Sequence, residues 1–251
     1  MTKFDQLIKI VKKLRSPDGC DWDKKQTHES LMPYLLEEVY EVIEAIENKD
    51  FDLLKEELGD LLLHVIFQAD LAEDSNNFSI EDSIDGVNKK LTSRHPHIFD
   101  SKNNTSWTEG SWESQKQKEK KRDSVLDGVP SSFPALLKSR RIQEKAASVG
   151  FDWKHNSEVL KKVDEEVTEL KDAIKQNYGI EDEFGDVLFT LVNLSRHLDI
   201  DPEKALRLST KKFSHRFKKI EKKLRNENIK ISDLSIDELD IIWEKNKIGS
   251  K

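Results

Sequence analysis

Glu165-Glu166-Val167-Thr168-Glu169 and Glu183-Phe184-Gly185-Asp186 frame the stretch 165–186, whose reading decides the fold. Glu166 and Glu169 stand three apart, as do Glu183 and Asp186, so two helical segments would each project an acidic pair from one face. Facing pairs gather four carboxylates. Such a group repels itself unless a cation enters it, and its all-oxygen donors suit Mg²⁺, Mn²⁺ or Ca²⁺ rather than Zn²⁺. The pattern occurs twice: residues 37–41 read Glu-Glu-Val-Tyr-Glu and residues 57–60 read Glu-Leu-Gly-Asp.

The repetition extends along the chain in order. Asp21-Trp22 recurs as Asp152-Trp153, Lys90 and Arg94 as Lys212 and Arg216, and Trp112-Glu113-x-x-Lys116 as Trp243-Glu244-x-x-Lys247. Five elements in one order imply a tandem duplication of a helical unit. Composition agrees with helices. Charged residues make up 36% and hydrophobic residues 35%, with only 9 glycines and 6 prolines in 251 residues, a mix that favours amphipathic helices over strands. The expected fold is all-α, two tandem repeated helical-bundle units, with an N-terminal unit over 1–99, a polar and partly helical linker over 100–132, and a C-terminal unit over 133–251.

Helix signals place the motifs. Helices are expected over 3–15, from Thr27–Ser30 to Asn48, after Asp50, after Ser79 to Pro96, and over Pro134–Ser148, Ser157–Gln176, Ile180–Leu198 and Pro202–Arg225. A last one starts at Ser235, which forms a capping-box spacing with Glu238. Phe51, Leu54, Leu58, Leu61, Leu62 and Val65 form a broad apolar stripe that calls for burial, and Trp22 and Trp153 are expected in the core. Trp112 and Trp243, on polar segments, suit stacking on a base. Short connections make antiparallel neighbours, so the acidic pairs face each other across each hairpin.

A lone Glu-x-x-Glu usually marks a solvated face. Here Glu38/Glu41, Glu57/Asp60, Glu166/Glu169 and Glu183/Asp186 all border the apolar stripe of their helices, where carboxylates demand a cation or carry raised pKa values. Gly59 and Gly185 lie inside helices at a cost of about 1 kcal/mol each relative to alanine, which close approach by a ligand or another helix would explain. No Glu-x-x-His spacing joins a histidine to a core-facing acid, which disfavours a di-iron bundle; His64, His95, His97 and His197 receive no role. No Gly-x-x-x-x-Gly-Lys-Ser/Thr run occurs, which argues against a P-loop NTPase.

The net charge of −7 argues against general nucleic-acid binding. The single cysteine, Cys20, excludes an internal disulfide and a cysteine-based zinc cage. No apolar run reaches membrane-spanning length, and no targeting segment is read, so the expected location is cytoplasmic.

Taken together, the tandem acidic motifs, the Cys20-Asp21-Trp22-Asp23-Lys24 start, the Arg94-His95-Pro96-His97-Ile98-Phe99 run and the Val149-Gly150-Phe151-Asp152-Trp153 run resemble the MazG family of two-domain bacterial nucleoside triphosphate pyrophosphohydrolases. The likeness covers nearly the whole chain. It implies an all-α, homodimeric enzyme that cleaves nucleoside triphosphates to the monophosphate and pyrophosphate with Mg²⁺, Mn²⁺ being an alternative, in house-cleaning of the nucleotide pool. It further implies that Glu166, Glu169, Glu183 and Asp186 hold the metal and are catalytic, that Lys212 and Arg216 contact phosphate, and that Trp243 and Lys116 contact the nucleotide. Glu38, Glu41, Glu57 and Asp60 form the second metal set. Family members tend to place the competent site in the C-terminal unit, yet both sets are intact here. Glu165 or Glu166 could take the proton of the attacking water. Two rival readings stand beside this one. One is a non-catalytic helical dimer scaffold that binds a divalent metal; the other is a pyrophosphohydrolase of narrower specificity, for one deoxynucleotide or for phosphoribosyl-ATP.

Overall fold

A computed structural model describes residues 1–99 and 123–248. The chain divides into two units, 1–107 and 108–251. Among the described residues there is no strand. The N-terminal unit comprises α1 (Lys3–Arg15), α2 (Asp21–Lys24), α3 (Met32–Asn48), α4 (Phe51–Asp74), α5 (Ile80–Arg94) and α6 (Pro96–Phe99). The C-terminal unit comprises α7 (Ala135–Ala147), α8 (Asn156–Gln176), α9 (Ile180–His197), α10 (Pro202–Asn226), a 3₁₀ turn at Ile231–Asp233 and α11 (Ile236–Ile248). Among the described residues no helix is long and apolar enough to cross a membrane.

The duplication is visible in the packing. α3 packs along α4 and α8 along α9, while α1 lies on α4 and α7 on α9. Each hairpin turn is tight because its C-cap takes the left-handed conformation, Lys49 at φ 57° and Asn177 at φ 52°, which ends the helix within one residue. Asp50 then caps α4 by accepting from the Leu53 N–H at 3.0 Å, whereas Gly179, at φ 70°, opens α9 without a side-chain cap. Asp201 and Ser235 cap α10 and α11, the latter with its expected Glu238 partner.

Several boundaries and burials differ from expectation. α3 starts at Met32 rather than near Thr27–Ser30, because Thr27 and Ser30 exchange side-chain-to-backbone bonds and hold a turn there. The short helices α2 and α6 are too brief for periodicity to reveal. Trp22 and Trp153 are not core residues: they are 50% and 42% exposed, and Trp22 meets the edge of Tyr34 instead. The stripe on α4 is only partly covered. Ile66 and Phe67 are buried, but Phe51, Leu58, Leu62 and Val65 stay exposed, since the core partners of α4, Val11 and Leu31, reach only its second half. Trp112, Lys116 and the linker helix expected around Trp112 lie outside the described residues.

The N-terminal core is therefore compact and local: Val11, Leu31, Ile66 and Phe67, with Phe4, Leu7, Ile8, Leu63 and Leu71 around them. Arg15 closes it, bonded to Asp70 and Asp74 and lying 5.4 Å from the Phe67 ring centroid. Phe67→Ala is expected to destabilise the N-terminal unit by about 3–5 kcal/mol, read as an earlier unfolding transition in chemical denaturation; Phe51→Ala, at a 77% exposed position, should leave that transition within about 0.5 kcal/mol.

Candidate functional site

In each unit the long hairpin brings acids from two helices together. In the N-terminal unit, carboxylate oxygens of Glu38, Glu41 and Glu57 lie within 4.8 Å of one another; in the C-terminal unit those of Glu166, Glu183 and Asp186 do the same. Glu57 and Glu166 are buried. Each cluster thus gathers three of its four expected acids. Asp60 and Glu169 stand beside the groups rather than inside them: the charge of Asp60 bears on Glu38 and Glu57, and that of Glu166 on Glu169.

The two clusters are not electrostatically equivalent. In the C-terminal unit Lys162 reaches Glu165 at 2.8 Å and Glu166 at 2.7 Å, and these carboxylates hold its ammonium well above the usual lysine range. Among the described residues no lysine or arginine forms an ion pair with the N-terminal cluster. His64 Nε2 lies 3.9 Å from Glu38, and burial pushes that imidazole down against the opposing pull of Asp60. Burial, then the neighbouring acids Asp60, Glu41 and Glu57, pushes Glu38 up. Burial, then Glu41, Glu56 and Asp60, pushes Glu57 up. In the C-terminal unit burial, followed by Glu166, raises Glu169.

Lys162 was not singled out from sequence, and His64 was given no role. Their signal is helical spacing: Lys162 precedes Glu166 by four residues and His64 follows Asp60 by four, which sets each on the face of its acid.

The donor chemistry fits a hard divalent cation. The convergent atoms are all carboxylate oxygens, and among the described residues Glu183 and Asp186 have no ion-pair partner. Gly59 and Gly185 are open as well: a Cβ built at either would meet nothing within 4 Å.

Lys212 and Arg216 lie on α10, which packs on α11 and α7. With His215 and Lys219 they line a basic depression of about 310 Å³. Among the described residues neither forms an ion pair, and the buried Nε of Arg216 has no acceptor. Trp243 lies against this basic face, its ring 5.0 Å from Phe213 and 5.9 Å from the Arg216 guanidinium carbon. That geometry backs the arginine with a π face. The N-terminal counterpart differs, for Arg94 is buried.

Comparison with known proteins gives these features a context. The family model of the MazG nucleotide pyrophosphohydrolase domain matches residues 26–99 and again 154–220, so each hairpin with its acids falls inside a match. The chain belongs to the MazG nucleotide pyrophosphohydrolase family. A Thermotoga maritima protein named nucleoside triphosphate pyrophosphohydrolase/pyrophosphatase MazG is 50% identical over 99% of this chain and 97% of its own length. An Escherichia coli K12 protein named nucleoside triphosphate pyrophosphohydrolase is 39% identical, over 98% of both chains. The Bacillus subtilis protein YabN is 41% identical over 98% of this chain but 52% of its own length. The two matched segments contain both acidic sets and the Lys90/Arg94 and Lys212/Arg216 pairs.

The raised carboxyls give a signed pH dependence. A carboxyl whose pKa rises on folding holds its proton more tightly in the folded state, so its contribution to stability falls as pH rises from the ordinary glutamate value of about 4.5 through the raised one. Without divalent metal, Glu57→Gln should therefore melt at a higher temperature than the parent at pH 7.5, and the gap should close as pH approaches about 4.5. A millimolar divalent cation should raise the parent's transition more than the variant's, both read by differential scanning calorimetry.

Proposed function

We propose that this chain hydrolyses nucleoside triphosphates to the nucleoside monophosphate and pyrophosphate, with Mg²⁺ or Mn²⁺ at the C-terminal acidic cluster. The observation that carries the reading is the convergence of Glu166, Glu183 and Asp186 from two helices, in a chain whose near-full-length relatives bear that activity in their names. Free cytoplasmic nucleotides are its substrates, in keeping with the single thiol, exposed Cys20. The two units, over 1–99 and 133–251 with residues 100–132 between them, divide the work: the first cluster is auxiliary and the second performs the chemistry.

In this mechanism Glu166, Glu169, Glu183 and Asp186 hold the metal, which when bound supplies charge neutralisation for the triphosphate and lowers the pKa of water. Lys162 neutralises part of the cluster through Glu166, a role that a cation held by the acids would share. Glu165, 56% exposed at its side chain and joined to the same lysine, is then positioned to accept the proton of the attacking water. Lys212 contributes a point charge to the phosphates and Arg216 a planar fork suited to two phosphate oxygens. Trp243 holds Arg216 in place from behind, and Lys116 adds a further contact to the nucleotide.

A homodimer is part of the same proposal. Leu58, Leu62 and Val65 on α4 and their repeat counterparts Phe184, Leu188 and Leu191 on α9 are all exposed, between 38% and 55%. The same three positions left uncovered in both repeats form two apolar stripes of a size that calls for a partner. The open space above Gly59 and Gly185 lets another backbone come close to them. A second copy of the chain provides the complementary surface.

Two measurements test these statements. Pyrophosphate release from a panel of triphosphates with Mg²⁺ should fall by about 100-fold or more in Glu183→Gln and change far less in Glu57→Gln. Survival of activity in the first and loss in the second would move the chemistry to the N-terminal cluster; no release from any triphosphate by the parent would favour a metal-binding scaffold. Leu62→Glu/Leu188→Glu should shift the mass in light scattering from two chains to one.

A further inference from the structure

α10 carries more positive charge than the hydrolytic reading uses. Lys212, Arg216, Lys219 and Lys223 follow one another at spacings of four, three and four, hence on one face of the helix. Glu221, two residues past Lys219, projects from the opposite side. Among the described residues, those lining the depression of about 310 Å³ on this face are Lys212, His215, Arg216 and Lys219, with no acid between them.

Like charges at helical spacings of three and four repel and weaken the helix that holds them. Carboxylates offset this on α1, where Lys12 reaches Glu73 at 2.8 Å and Arg15 is bonded to Asp70 and Asp74. α10 has no such relief. Among the described residues Lys212, Arg216, Lys219 and Lys223 form no ion pair, and the buried Nε of Arg216 has no acceptor. The charges call for an anion from outside the chain.

A plainer cause accounts for part of the row. The macrodipole favours bases in the last turn of a helix, and Lys223 and Arg225 stand there. Lys219 does not. It lies seven residues before the end of α10 at Asn226, about 10 Å along the axis, whereas the dipole acts within the last turn. Lys219 is the charge left to explain.

The N-terminal repeat separates the two parts of the row. Lys90 and Arg94 keep the spacing of Lys212 and Arg216, but α5 ends at Arg94, with Pro96 next but one. α10 continues ten residues past Arg216, to Asn226. Lys219 therefore stands on a length of helix that α5 lacks.

Counting phosphoryl groups gives Lys219 a ligand. Cleavage to the monophosphate and pyrophosphate breaks the link between the α- and β-phosphates, so two phosphoryl groups leave together, and Lys212 and Arg216 supply one base for each. Lys219 adds a base about 4.5 Å further along the axis, in line for one more. In a nucleoside 5′-tetraphosphate the same link breaks with one water: its oxygen joins the phosphorus attacked, the bridging oxygen leaves on the other fragment, and a proton passes to solvent through Glu165. The products are the nucleoside monophosphate and linear tripolyphosphate.

We propose that Lys219 holds a third phosphoryl group of the leaving chain, which makes nucleoside 5′-tetraphosphates substrates of the C-terminal site. The inference rests on the hydrolytic reading given above. With Mg²⁺, the full-length protein should release tripolyphosphate from adenosine 5′-tetraphosphate with a kcat/KM at least equal to that for pyrophosphate release from ATP. Lys219→Ala should lower the ratio of these two constants, tetraphosphate over ATP, about fivefold. Lys219→Arg should restore it, and Lys218→Ala, on a different face of α10, should leave it in place. In titration calorimetry Lys219→Ala should weaken inorganic tripolyphosphate by a similar factor and pyrophosphate by less. An unchanged ratio, or an equal loss toward both nucleotides, would overturn the proposal; so would an effect on tripolyphosphate alone, which would make the row a site for inorganic chains. Absence of pyrophosphate release from ATP by the parent would remove the hydrolytic reading instead, and with it the assignment of tetraphosphates as substrates, while calorimetry would still decide the third phosphoryl contact.

Discussion

Carboxylates forced together at the border of a core are the constraint on which this protein turns. Each long hairpin places acids of two helices within a few ångströms, where every charge raises the cost of ionising the next. The fold tolerates this because the opposing helices are tied elsewhere, by tight left-handed turns at Lys49 and Asn177 and by flanking helices laid across their far halves. A cation held among these oxygens would relieve the repulsion that folding creates.

Divergence between the repeats shows how the same constraint takes two forms. The C-terminal unit places Lys162 against its acids and keeps two buried polar side chains, Thr190 and Asn193, beyond Glu183 and Asp186 on the same face of α9. The N-terminal unit has a neutral-leaning histidine at Glu38 and continues the face as hydrocarbon, through Phe67 into the core. One helix face is thus continuous polar machinery in the second copy and a boundary between acids and core in the first.

Much of this was legible in the residues. Period-3.6 stripes, Asp50, Ser79, Asp201 and Ser235 as caps, and Asn177 as a stop placed the long helices closely, because those signals act within one or two turns. The pairing of acids across each hairpin followed from short connections. Less legible were the exposure of Trp22 and Trp153, the three-acid grouping in place of four, and the roles of Lys162 and His64. Each depends on rotamers and on which neighbour covers which half of a helix, and neither is written in spacing.

By itself the sequence determined the all-α class, the duplication, the helix hairpins and the identity of the acids and bases, all of which rest on local periodicity and on order along the chain. Only the tertiary structure decided which acids converge, that Arg216 is backed by Trp243, and that a cavity opens beside Gln143 and Asn193 where the other repeat is filled by Phe67. The physical reason is that convergence and empty volume are properties of packing. A carboxamide and a phenylalanine at matching places in two repeats read as an ordinary substitution until their neighbours show that one leaves space and the other closes it.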